Sequence, residues 1–233
     1  MMPDPTIVAM GGGGFMMEPG NPLLDDFLLE LTGKQRPKVA FLPTALGDSP
    51  LAVMKFHGFF QEREVERTQV TLFGRPRTDL RELMLAQDLI YVSGGNTANA
   101  LAVWRVHGMD AILRECWEAG VVLAGLSAGM ICWYDCSVTD SFGPLASLDD
   151  GLGFLPGSAC PHYDGEAERQ PTYRKLISEG FPAGVAADDG VGLVYRGTKL
   201  VECVASRPKA RAFSVGLRDG VVVEEPLAVR LLD

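Results

Sequence analysis

The sequence predicts an α/β fold with a mostly parallel central sheet flanked by helices, closed by antiparallel hairpins towards the C-terminal end. Three observations carry that expectation. Short β-branched runs alternate with amphipathic segments over the first two-thirds of the chain. Helix-starting and helix-stopping residues stand between those runs. Beyond about residue 180 the texture becomes alternating runs split by Arg196-Gly197 and Asp219-Gly220, the mark of hairpins at the edge of a sheet. The 233 residues show no internal repeat, low-complexity tract or Pro/Ser-rich linker, so residues 1–233 read as a single domain.

Taken in order, the strands are TIVAM (6–10), KVAFL (38–42), TQVTLF (68–73), DLIYV (88–92) and VVLAGL (121–126). Helical spacing of apolar residues predicts helices over 22–31, 50–66, 97–107 and 109–119, with another over 166–179. Asn21-Pro22 and Ser49-Pro50 place a capping side chain ahead of a proline at the first helical position, and Asn96-Thr97 opens a further helix. Gly33, Gly108 and Gly120 follow as C-terminal stops. Residues 137–165, rich in aspartate and glycine and weakly periodic, read as a long functional loop.

Composition narrows the function classes. Hydrophobic residues make up 47% and charged residues 22%, and no stretch has the apolar length to span a bilayer, so a soluble protein without a membrane partner is expected. The start MMPDPTIVAMGGGG has no basic residue before its short apolar run and reads as a first strand, not a secretory signal. Five cysteines form no C-x-x-C pair, which fits reduced thiols in a cytoplasmic protein. A net charge of -9 opposes nucleic-acid binding and means that an acidic substrate needs a local cation in its pocket.

Gly125-Leu126-Ser127-Ala128-Gly129 follows the strand VVLAGL and precedes the apolar segment MICWY, the spacing and context of a nucleophile elbow. A sharp strand-to-helix turn crowds the backbone, which explains the glycines, and helix amides then face Ser127 Oγ. The ordinary alternative is a glycine-rich turn with a capping serine. The serine needs a base, and histidine is the usual supplier near neutral pH. His57 and His107 fall within or at the end of helices; His162 stands in the irregular SACPHYDGE, downstream of the serine, and is the favoured base. On spacing alone the third, acidic member stays open. Asp135, Asp140, Asp149 and Asp150 suit the order serine–acid–histidine, while Asp188 and Asp189 end a short strand just before a glycine.

The GGGG turn after strand one, YVSGGNT (91–97), GLSAGM (125–130), CPHYDGE (160–166) and AADDG (186–190), in that order, resemble the peptidase E family of aspartyl dipeptidases. That resemblance implies a class I glutamine amidotransferase-like fold and a serine peptidase acting on short peptides, with dipeptides bearing N-terminal aspartate as substrates. It implies Ser127 as nucleophile, His162 as base and an acid in AADDG, of which Asp189 directly precedes the glycine and Asp188 is the rival. Backbone amides of Gly94 or Gly95 with that of Ala128 would form the oxyanion hole. Asn96 and Thr97 would border the substrate, and Arg169, with Arg174 as alternative, would meet its carboxylate. No cofactor and no metal are implied, and no H-E-x-x-H, paired Cys/His spacing or calcium loop is present. A homodimer or higher homo-oligomer is expected. The competing classes are an esterase or cyanophycinase-like peptidase, and a non-catalytic amidotransferase-like binding protein.

Overall fold

A computed structural model describes residues 5–75 and 77–233. Residues 1–4, part of the stretch read above as carrying no export signal, lie outside the described residues. In chain order the elements are β1 (Thr6–Met10), α1 (Gly14–Met17), α2 (Leu23–Leu31), β2 (Lys38–Leu42), α3 (Pro50–Phe59), β3 (Glu66–Gln69), α4 (Leu80–Leu85), β4 (Leu89–Val92), α5 (Thr97–His107), α6 (Met109–Glu118), β5 (Val122–Leu126) and α7 (Ala128–Ile131). There follow β6 (Tyr134–Thr139), β7 (Ala146–Leu148), β8 (Leu155–Cys160), α8 (Arg169–Ser178), β9 (Gly184–Ala187), β10 (Val191–Arg196), β11 (Lys199–Ala205), β12 (Ala212–Arg218), β13 (Val221–Leu227) and β14 (Val229–Leu231).

The mostly parallel central sheet that the sequence predicts is one part of the architecture, because the strands form two sheets. The larger has eight strands in the order β14-β11-β10-β1-β5-β4-β2-β3. From β1 to β3 all neighbours are parallel, whereas β10 runs antiparallel to both β1 and β11. Along β1 the side chains alternate between two cores: Ile7 and Ala9 face the helices α4 to α7, Val8 and Met10 face α1 to α3. Both faces are buried, so these strands read as continuous apolar runs. The second sheet, β13-β12-β9-β8-β6-β7, mixes parallel and antiparallel pairs and packs Val138, Cys160, Ala186 and Val215 against Tyr173 and Ile177 of α8.

Several local expectations are corrected by the same competition between local signals and tertiary contacts. Residues 137–165 are not a long loop; they supply the second half of β6, all of β7 and β8 and the start of the segment beyond. The strand expected over 68–73 ends at Gln69, because the Asp48 carboxylate takes the amides of Leu72 and Phe73. The helix expected over 50–66 tightens into a 3-10 turn at Phe60–Glu62, and Arg63 is already extended, so that the chain can enter β3. Ser49 makes no side-chain cap, and Asn21 donates instead to the Ser206 carbonyl at 3.0 Å. Asn96 does cap α5, its Oδ1 accepting from the Asn99 amide at 2.9 Å. Gly33, Gly108 and Gly120 all take positive φ after their helices, as stops should. The two C-terminal hairpins part company: β10–β11 extends the large sheet and β12–β13 the small one. Among the described residues no helix is long and apolar enough to cross a membrane.

Candidate active site

The carboxyl ends of β1, β4 and β5 lie side by side, the position at which α/β sheets commonly bind ligands. Ser127 follows β5 directly and opens the single turn α7, with φ 54° and ψ -109°. A non-glycine residue in that region is strained and marks a site where geometry outranks comfort. Its glycine neighbours have a steric reason. A Cβ on Gly125 would stand 2.6 Å from the Val92 carbonyl oxygen and 2.8 Å from Gly129 Cα, and one on Gly129 would collide with the same carbonyl. Glycine at both positions lets α7 close onto β4 and turn the serine outward.

The first-strand glycine turn gathers the remaining parts. Three successive carbonyl oxygens accept backbone N–H groups from distant segments: Met10 from Ser127 at 3.0 Å, Gly11 from His162 at 3.2 Å and Gly12 from Gly190 at 3.1 Å. His162, also at positive φ (51°), is 8% exposed, and its Nδ1 lies 2.6 Å from Asp189 Oδ1. The Asp189 amide donates to Asp164 Oδ1 at 2.8 Å, and Gly165 packs so closely that a Cβ there would reach Asp189 Oδ2 at 2.6 Å. Asp189 is therefore fixed by its backbone, by a carboxylate neighbour and by a glycine face. Among the described residues the ring's hydrogen bond runs to Asp189, and none joins Ser127 Oγ to His162.

The other candidates sort by position. Asp188 points the opposite way, its Oδ2 accepting from the Arg211 amide at 2.9 Å, and burial raises its carboxyl above the usual range. Asp135 accepts from the Gly157 amide and Asp150 pairs with Arg105, so neither approaches the histidine. His57 bonds Gln69 on the flank of the sheet. A pocket of about 260 Å³ opens over Ser127, walled by Gly95, Asn96, Asp140, Ser141, Glu166 and Arg169. Gly94 borders the serine, a Cβ on it standing 3.4 Å from Ser127 Cβ, and Gly95 takes φ 126°, open only to glycine against Ala45. Ala128 begins α7 beside them, buried. Thr97 is buried and is no part of the pocket wall, and the Asn96 side chain is committed to its cap and to the Ser141 carbonyl.

Arg169 opens α8 and is buried there. It is 3% exposed, with Nε 2.7 Å from Glu166 Oε2 and Nη1 donating to the Val138 carbonyl at 3.0 Å. Arg174 instead pairs with Glu224 away from the pocket. Sequence reasoning passed over Gly12, Asp164 and the pocket carboxylate Glu166. All three lie inside the quoted motifs, but nothing in a linear motif says which of its members meet. A larger cavity of about 470 Å³ near Phe15, Lys55 and Arg63 contains none of these groups.

An α/β sheet whose strand ends present a serine on a strained strand-to-helix turn, with an imidazole–carboxylate pair hung from the adjacent strand, has the layout of a nucleophile-elbow site, the class of hydrolase architecture it resembles. Comparison with known proteins makes the class specific. The model of peptidase family S51 matches residues 7–203. An uncharacterised peptidase of Bacillus subtilis (strain 168), YgaJ, is 48% identical over 227 residues, covering 97% of this chain and 98% of the relative. Another uncharacterised peptidase, Lmo0363 of Listeria monocytogenes, is 28% identical over 173 residues, 68% of this chain and 79% of the relative. A peptidase from an acI-B1 Actinobacterium shares the fold with a TM-score of 0.74 at 19% identity, over 98% of this chain and 96% of that one. The chain belongs to peptidase family S51, the peptidase E family.

Proposed function

We propose that the chain is a serine dipeptidase that removes an amino-terminal aspartate from short peptides, on a class I glutamine amidotransferase-like arrangement of the first sheet. The observation that carries the reading is the set of three consecutive carbonyls, Met10, Gly11 and Gly12, which tether Ser127, His162 and the residue after Asp189 to one turn. In this mechanism Ser127 Oγ attacks the scissile carbonyl carbon while His162 takes its proton. The tetrahedral oxyanion is met by the amides of Gly94 or Gly95 and Ala128. The proton passes from His162 to the leaving nitrogen as the C–N bond breaks, giving an acyl-enzyme and a free amine. Water then repeats the sequence and releases the aspartate. Asp189 holds the imidazole's tautomer and steadies its charged form. The serine–histidine contact is one that tightens with substrate in unliganded enzymes of this type.

Substrate choice in this reading rests on the charges of the pocket. Arg169 would take the side-chain carboxylate with the N–H groups left over from Glu166 and Val138. Asp140 and Glu166 carry oxygens open to solvent that suit the free α-ammonium of an N-terminal residue. Because Glu166 already occupies Arg169 Nε, a peptidase indifferent to the acidic side chain is the second reading. A panel of Asp-X, Glu-X, Ala-X and Gly-X dipeptides separates the two: Asp selectivity requires kcat/KM for Asp-X about tenfold or more above Ala-X, and a collapse of that ratio in Arg169→Met. Equal rates across the panel refute it. The same proposal has the enzyme working in the cytoplasm as a homo-oligomer, which sedimentation of the purified chain tests.

A further inference from the structure

At the second carboxylate oxygen of Asp189 two segments remote in sequence come together. Arg207 Nη1 lies 3.8 Å from Asp189 Oδ2, and Arg207 Nε lies 2.8 Å from Glu18 Oε1. Both are partly covered, at 35% and 22% side-chain exposure. The arginine stem lies over Gly190, where an added Cβ would meet Arg207 Cγ at 2.8 Å. The loop that carries it is held from both sides: the Ser206 amide donates to the Gly190 carbonyl at 2.8 Å, and Asn21 Nδ2 donates to the Ser206 carbonyl at 3.0 Å. Glu18 Oε2 is buried without a hydrogen-bond partner among the described residues and sits 3.2 Å from where a Cβ on Gly13 would stand, so the glutamate is seated against the same glycine turn that holds Ser127 and His162.

A half-exposed ion pair does little for stability, so a purely structural role explains poorly why this one is aimed at the second oxygen of the acid. We propose that Arg207 and Glu18 are positioning residues for the peptidase reaction, forming with the acid and base a row of alternating charge, His162–Asp189–Arg207–Glu18. The inference rests on the triad reading given above. Asp189 offers Oδ1 to the imidazole, and Arg207, at ion-pair distance, draws Oδ2 towards itself and so favours the carboxylate orientation that the imidazole needs. Arg207 also weakens the pull of Asp189 on an imidazolium, and Glu18 returns part of it. The other charges near the pair are Asp164, on the Asp189 amide, and Asp140, Glu166 and Arg169, on the pocket side; Asp188 is turned away with Arg211.

The two members therefore have effects of opposite sign. Neutralising Arg207 leaves two carboxylates to favour the imidazolium, and the acidic limb of the kcat/KM profile moves up by about 0.5 pH. Neutralising Glu18 leaves the arginine unopposed, and the limb moves down by a smaller amount. The experiment measures that limb in Arg207→Gln, Glu18→Gln and the charge-keeping Arg207→Lys. The same titration is read from the His162 ring by NMR in the Ser127→Ala background, where only two other histidines, His57 and His107, contribute signals. Opposite shifts in the two neutral variants, with Arg207→Lys near the parent, support the inference. Unmoved midpoints, or two shifts of the same sign, overturn it. Survival of full activity in Ser127→Ala would overturn the triad reading itself, which separates the two failures. Should Arg207→Gln not fold, the sign in Glu18→Gln and in Arg207→Lys still decides.

Discussion

Gly12→Ala is the most informative single change in the molecule, because the added atom has nowhere to go. A Cβ on Gly12 would stand 2.9 Å from Asp189 Cγ and 3.0 Å from His162 Nδ1, and closer still to Asp189 Oδ1. Carbon needs about 3.5 Å from such neighbours, so the carboxylate must move by more than half an ångström. The 2.6 Å bond from His162 Nδ1 does not survive that displacement. Loss of the acid's hold on the imidazole costs on the order of 10³- to 10⁴-fold in kcat in triads of this kind. Overpacking of the turn itself costs about 1–3 kcal/mol, within the ~5–15 kcal/mol that holds a domain of this size together, so the variant stays folded. The assay pairs steady-state hydrolysis of an Asp-X dipeptide with thermal denaturation, and Gly20→Ala, where an added Cβ meets nothing within 4 Å among the described residues, serves as control. A folded Gly12→Ala enzyme within about threefold of the parent in kcat/KM would refute the argument that the glycine turn is the frame of the site.

Two further outcomes follow from the same geometry. Asp189→Asn lowers kcat by about 10³-fold or more while Asp188→Asn changes it by less than about tenfold, since only Asp189 meets His162; the reverse order, read in the same hydrolysis assay, transfers the role of acid to Asp188. Asp25, wholly buried on α2, has its carboxyl pushed up to about 7 by burial, with the Phe15 amide and Tyr91 hydroxyl close by but outside hydrogen-bond geometry and Arg63 offsetting part of the rise. The unfolded chain releases that proton near 3.8 and the folded chain keeps it to about 7, so its contribution is complete below about pH 4 and lost as pH rises through 7. The loss is at most about 4 kcal/mol. Urea denaturation between pH 5 and pH 8 should show Asp25→Asn flattening that decline; an unchanged slope contradicts it.

Much of the first sheet was legible because β1, β2, β4 and β5 are buried on both faces and announce themselves as short apolar runs. The second sheet was legible only in part: the β12–β13 hairpin around Asp219-Gly220 and the short strand β9 ahead of Asp188 were readable, whereas β6, β7 and β8 were not. β8 (LPGSAC) is built largely from small residues, proline and glycine, which carry little strand signal until the sheet packs under α8. MICWY shows the same limit: only one helical turn follows Ser127 before Trp133 is taken into the core and β6 begins. Ser127 and His162 were legible from their context, whereas the choice between Asp188 and Asp189 turns on side-chain direction, which no spacing records. Arg207 and Glu18 stand outside every motif, and Arg207 meets both Glu18 and Asp189 only because the sheet returns β10 and β11 alongside β1. Arg169 was visible as a cation, but its burial against Glu166 and Val138 is a product of packing with β6.

Covalent bonding of Ser127 during the reaction is open to a fluorophosphonate probe, with the adduct located by peptide mass mapping. One adduct per chain is expected, on Ser127, slowed in His162→Ala and absent from Ser127→Ala. An adduct on any other residue, or undiminished labelling of Ser127→Ala, would contradict it.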